Sequence, residues 1–134
     1  MEITYKHYDA DYWQGKKIFR DALGREHTYT GPSLSWEGFQ EIARILKKVL
    51  RIDDHDTVLD IGCGGGDFVS RLTSNGYGVE ISQYAIDNCV PAMRGKIAAA
   101  DITTTPYPLT TDKLVFPDPF DYVVSTDLME HIYL

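Results

Sequence analysis

Paired cysteines, long apolar runs and an excess of positive charge are all missing from this 134-residue chain. It has two cysteines, Cys63 and Cys89, with no C-x-x-C and no metal-ligand spacing, so reduced thiols are the simple inference. No stretch approaches the roughly 20 apolar residues of a membrane helix. Met1-Glu2-Ile3-Thr4 lacks the basic and apolar regions of a signal peptide. These absences predict a cytoplasmic protein without membrane contact. Thirteen Lys and Arg against 20 Asp and Glu give a net charge of −7. That balance argues against non-specific nucleic-acid binding, which needs a basic footprint, but is compatible with an RNA held by a local patch. There is no repeat and no low-complexity run. What remains, 43% hydrophobic and 25% charged residues, is ordinary for one soluble globular domain with a modest core.

The chain is organised around Val58-Leu59-Asp60-Ile61-Gly62-Cys63-Gly64-Gly65-Gly66-Asp67-Phe68. An apolar run ends in an acid, breaks into glycines and resumes as Phe68-Val69-Ser70-Arg71-Leu72. This is the pattern of a buried strand, a tight loop and a helix. Glycines suit such a loop because a side chain would block close approach of a ligand and because positive φ costs them little. The dinucleotide fingerprint needs a glycine at the sixth loop position, and counting from Gly62 that position is Asp67. A Walker-type phosphate loop needs Lys followed by Ser or Thr, and neither is present. Asp60, two residues before the first glycine, suits a ligand carrying amino and sulfonium groups better than a pyrophosphate.

The pattern Asp60-x-Gly62-x-Gly64-x-Gly66 resembles motif I of the class I S-adenosylmethionine-dependent methyltransferases. The resemblance implies an α/β, Rossmann-like, doubly wound and mostly parallel sheet. In this chain it corresponds to four strands ordered 3-2-1-4 of the family's seven. Two parts are expected: an aromatic N-terminal arm over 1–35 and a partial cofactor-binding domain over 36–134.

In the arm, Tyr8-Asp9-x-x-Tyr12-Trp13 is similar to segments that close over the cofactor in this family, which makes Tyr8, Tyr12 and Trp13 lid candidates; packing of the rings on the domain is the plainer alternative. Ser35 is expected to cap a helix that turns Trp36, Phe39, Ile42, Ala43, Leu46, Val49 and Leu50 to the core. After the glycine loop and its helix, a second strand runs to Glu80. A carboxylate there can accept from both ribose hydroxyls of a nucleoside, a device shared with NAD enzymes. Ile81 then lies against the adenine. Ser82 begins a helix from Gln83 to about Met93, bent or shortened by Pro91. A third strand near 96–100 leads to Asp101 and Ile102, which resemble the family's adenine-binding pair; a turn cap is the alternative for Asp101. Residues 103–119 read as a Thr- and Pro-rich loop, followed by a fourth strand ending at Ser125, also assigned to the cofactor site.

Beyond it, Asp127-x-x-Glu130-His131-Ile132 resembles the Glu-His stretch of family members acting on small molecules. Three roles remain open: scaffold, general base for His131, or a metal site of Asp127, Glu130 and His131, which is not favoured. The reaction implied by the resemblance is in-line transfer of the sulfonium methyl of S-adenosylmethionine to an acceptor, a small molecule being favoured, with S-adenosylhomocysteine as product. A lone pair on the acceptor attacks the methyl, and the enzyme needs no nucleophile of its own because the leaving group is already activated. With four strands counted, a missing C-terminal segment or a partner chain is expected to complete the sheet. The alternatives are an NAD(P)-binding oxidoreductase fragment, disfavoured by Asp67 and Asp60, and a non-catalytic cofactor-binding or interaction subunit.

Overall fold

Four short parallel strands carry the domain: β3 (Val58–Ile61), β4 (Gly76–Glu80), β5 (Ile97–Ala99) and β6 (Tyr122–Val124). In this computed structural model, residues 8–29, 37–105 and 114–126 are described. The hydrogen-bonded order β5-β4-β3-β6 is the expected 3-2-1-4. The glycine-loop strand β3 therefore lies inside the sheet, between β4 and β6. Both of its faces are covered, and Val58, Leu59 and Asp60 are all buried.

Helices α2 (Gly38–Leu50) and α3 (Asp67–Leu72) pack together over one face of the sheet. Val58, Phe68, Val69, Leu72 and Met93 form its core with Ala43 of α2, and Phe39 meets Phe68 at 5.6 Å between ring centres. On the other face Leu59 and Val79 are covered by Tyr77, Phe116 and Phe120, three rings in mutual edge contact at 5.8 Å. The pleat sends successive side chains of a strand to opposite faces, so adjacent residues Val58 and Leu59 serve different cores.

Two expectations are corrected. The buried stripe of α2 is Phe39, Ala43 and Leu46, whereas Ile42, Val49 and Leu50 are 37%, 69% and 41% exposed. The helix packs on one neighbour, and a 3.6-residue period does not separate two apolar stripes lying side by side. The helix expected to reach Met93 stops early: α4 is Gln83–Asp87, followed by a separate 3-10 turn at Pro91–Met93. Pro91 forces Val90 into extended backbone, φ −60 and ψ 148, which a continuous helix excludes. Ser35, Trp36 and the stretch 106–113 of the expected loop lie outside the described residues.

The N-terminal arm has more structure than its sequence period indicates. One turn of helix, α1 (Ala10–Trp13), leads into an antiparallel hairpin of β1 (Lys17–Arg20) and β2 (Glu26–Tyr29). The hairpin turn is held by Asp21, whose carboxylate accepts from the Leu23 and Arg25 amides, with Gly24 at φ +77. Among the described residues, β6 borders the sheet. Tyr122 and Val124 pack on the core, and Val123 is 59% exposed.

Candidate functional site

Parallel strands in one sheet end on the same side, and the crevice beyond those ends is where such folds bind ligands. At that end of β3 the chain turns through Gly62–Gly66 before entering α3. Gly62, Gly64 and Gly66 have φ of +77, +54 and +76, a region where other L-residues are strained. The Gly62 and Cys63 amides both donate to the Val79 carbonyl, at 2.8 and 3.1 Å, drawing the loop across the end of β4. The glycines also make room for the chain itself: a β-carbon on Gly66 would stand 2.6 Å from Met93 Cγ, and one on Gly64 would stand 3.0 Å from Trp13 Cη2. Packing thus joins backbone conformation as a reason for these residues, alongside the ligand approach inferred from sequence.

Ile61 pairs with Val79, which sets Glu80 level with Gly62, the first residue of the loop. Glu80 is 6% exposed, and both of its oxygens face backbone donors: Oε2 accepts from the Gly64 amide and Oε1 from the Ser82 amide, each at 2.8 Å. Burial pushes this carboxyl above its usual range, and the Ser82, Gly64 and Ile81 amides offset part of that shift. Asp60, the third residue of β3, is 1% exposed. Cys63, inside the loop, is a buried thiol whose pKa is raised well above normal by desolvation and by the nearby Asp60 and Glu80 carboxylates. That makes it packing rather than a nucleophile.

The arm reaches this same end of the sheet. Asp9 caps α1 by accepting from the Tyr12 amide at 3.0 Å, and Tyr12, 6% exposed, meets Tyr8 and Trp13 edge-on at 4.9 and 5.3 Å. Trp13 Nε1 donates to Ser82 Oγ at 2.9 Å, Ser82 Oγ donates to the Tyr8 carbonyl, and Gln14 Nε2 donates to Tyr84 Oη at 3.1 Å. Residues 8–14 therefore form a strap from the glycine loop to the start of α4.

With the glycine loop, the buried acid at the end of β4 and this strand order in place, the comparison with protein families is decisive. The model for mycolic acid cyclopropane synthetase matches residues 2–134. The chain belongs to this family. It is accordingly an S-adenosylmethionine-dependent methyltransferase, and S-adenosylmethionine is its methyl donor. No curated protein and no solved structure matches it.

The donor set suits the cofactor of the cyclopropane synthetase family. A buried carboxylate fixed by two backbone amides retains lone pairs for hydroxyl donors, because each oxygen accepts more than one hydrogen bond. Among residues singled out in the sequence, Asp60, Gly62, Cys63, Gly64, Gly66, Glu80 and Ile81 gather at the ends of β3 and β4, and Tyr8, Tyr12 and Trp13 come to them through the strap. Asp101 stands in a turn beyond β5, where Oδ1 accepts from the Thr103 amide and hydroxyl at 2.9 and 2.6 Å. This is the turn-capping contact given above as the alternative for that residue. Ile102 packs with Leu59 and Val79, and Ser125 follows β6 directly, exposed. Asp127, Glu130 and His131 lie outside the described residues. Ser82 was legible only as a helix cap. Its contacts with Trp13 and Tyr8 join positions about 70 apart and leave no local signal in the sequence.

Proposed function

We propose that this methyltransferase acts on a small-molecule acceptor, with Glu80 as the residue that decides cofactor binding. The observation carrying this reading is the Glu80 carboxylate, buried and aimed by the Gly64 and Ser82 amides at the mouth of the glycine loop. In this reading Glu80 accepts from the ribose hydroxyls, and the backbone of Gly62, Cys63, Gly64 and Gly66 holds the amino-acid part. Asp60 supplies the negative field that favours a cationic ligand. Ile81 and Ile102 border the adenine, Asp101 accepts from its amino group, and Ser125 lines the far side. Tyr8, Tyr12 and Trp13 serve as the lid. Bound S-adenosylmethionine supplies a sulfonium methyl already activated for in-line displacement, with S-adenosylhomocysteine as product. The work left to the protein is alignment and exclusion of water. His131 is the proposed base for an acceptor hydroxyl.

The acidic net charge of −7 favours a small acceptor over nucleic acid. Free cysteines at Cys63 and Cys89 favour a cytoplasmic setting. Asp67 at the sixth loop position, ion-paired to Arg71 at 3.0 Å, works against the nicotinamide alternative.

Calorimetric titration with S-adenosylhomocysteine, with NADH as control, tests the reading. Selective binding of the first, weakened roughly tenfold or more in Glu80→Gln, is expected from loss of charge-assisted hydrogen bonds. Equal affinity in that variant, or preference for NADH, overturns it.

A further inference from the structure

Ser82 belongs to neither the glycine loop nor the strap, yet it touches both sides of the crevice. Its side chain is fully buried, at 0% exposure. The hydroxyl accepts from Trp13 Nε1 at 2.9 Å and from the Ala85 amide at 3.2 Å, and it donates to the Tyr8 carbonyl. A hydroxyl offers one hydrogen and two lone pairs, so this one is fully used. The Ser82 amide donates to Glu80 Oε1. Gly64, whose amide also donates to that carboxylate, lies under the Trp13 ring.

We infer that Ser82 is a positioning residue, a latch that couples seating of the strap to the Glu80 carboxylate and so sets how fast the cofactor exchanges. This rests on the cofactor reading given above. With the strap seated, Trp13 covers Gly64, and Glu80 is 6% exposed. A nucleoside entering or leaving that carboxylate has to pass the strap. The α1 helix is four residues long, far too short to hold itself together. Its order comes from tertiary contacts, of which the two made by Ser82 Oγ, with the indole N–H and with the Tyr8 carbonyl, are anchored beside Glu80. Freeing the indole bond loosens the strap while leaving Glu80 and the glycine loop intact.

The test is release of tritiated S-adenosylmethionine from the full chain, chased with excess unlabelled S-adenosylhomocysteine and followed by rapid filtration. Trp13→Phe keeps an aromatic ring in the strap and keeps Ser82 as the α4 cap, so it removes the latch bond without touching the helix. Release about three- to tenfold faster is expected, the factor that corresponds to one buried hydrogen bond. Ser82→Ala is expected to speed release at least as much, and the double variant no more than Ser82→Ala alone. Native release from Trp13→Phe, or a double variant equal to the product of the singles, overturns the latch while the cofactor reading stands. A native chain that retains no label overturns the cofactor reading and the latch together.

Discussion

Cys63 Sγ occupies the space that a β-carbon on Gly78 would need, with Cys63 Cβ 3.0 Å and Ile97 Cγ1 3.4 Å from the same point. The second residue of the glycine loop is thereby seated directly on the middle of β4. Gly78→Ala is expected to cost about 1–3 kcal/mol by overpacking. Cys63→Ala in the same chain removes the sulfur and is expected to recover part of that cost. Urea unfolding of the two single variants and the double tests the coupling, and strictly additive losses would show that the two sites do not share this space.

If Glu80 holds the cofactor as proposed, it gives stability and cofactor affinity opposite responses to pH. Against an ordinary value of 4.5, burial raises its pKa in the folded chain. The folded protein then holds this proton more tightly than the unfolded chain does. The stability it contributes is whole below pH 4.5 and is lost as pH rises through the folded value. Unfolding measurements from pH 4.5 to 7.5 are expected to show the native chain losing ground to Glu80→Gln as pH rises. Binding of S-adenosylhomocysteine to the native chain is expected to strengthen over the same window, because the ionised carboxylate is the better acceptor. A stability difference independent of pH would contradict the raised pKa.

Arg51 ends α2 in left-handed backbone, φ 58 and ψ 36, while the next amide, from Ile52, bonds the Lys47 carbonyl. A side chain in that conformation costs about 1–2 kcal/mol, and glycine would give back about 0.5–1 kcal/mol through the freedom of the unfolded chain. Arg51→Gly is therefore expected to stabilise the protein by about 0.5 kcal/mol, read as a higher urea midpoint. A lower midpoint would mean that Arg51 makes contacts worth more than its strain.

Asp21 organises the hairpin turn from the solvent side. Its carboxylate takes His27 Nε2 and the Arg25 guanidinium at 2.9 and 2.8 Å, together with the Arg25 and Leu23 amides. The His27 contact first, then the Arg25 amide, holds its pKa at about 2. Its contribution to the hairpin is whole above the ordinary value of 3.8 and is lost as pH falls through about 2. Carboxyl NMR titration is expected to find that midpoint in the native chain and a higher one in His27→Ala. An unchanged midpoint would remove His27 from the turn.

The sheet was legible because its signals are local. The strand–glycine–helix run from Val58 to Leu72 marks the first unit, and Glu80 closes the next strand after one turn of chain. The glycine loop was legible for the same reason: Asp60, the alternating glycines and Asp67 sit within eight residues of sequence. The arm was not. A four-residue helix and two four-residue strands are too short to display a period, so 8–29 read as an aromatic lid or packing arm without elements of its own. Nor did the exposed Ile42 and Val49 announce themselves, since burial there depends on what packs alongside α2. The tie from Trp13 to Ser82 belongs to the same class, because tertiary contacts between distant positions have no spacing to betray them.

Where β6 joins the sheet, Asp121 Oδ2 accepts from both the amide and the hydroxyl of Thr57 at 2.8 Å, and the Asp121 and Tyr122 amides return bonds to the Thr57 carbonyl. This clasp sits at the entrance of both strands, one residue before the pairing of Val58 with Tyr122. A slip by a single residue would swing Tyr122 and Val124 out of the core and bring Val123 in. Three residues of strand carry little information to forbid that error, since Tyr122, Val123 and Val124 are all apolar. The carboxylate of Asp121 supplies what they lack: it fits Thr57 in one alignment, so the chain proofreads its own strand pairing at the first rung.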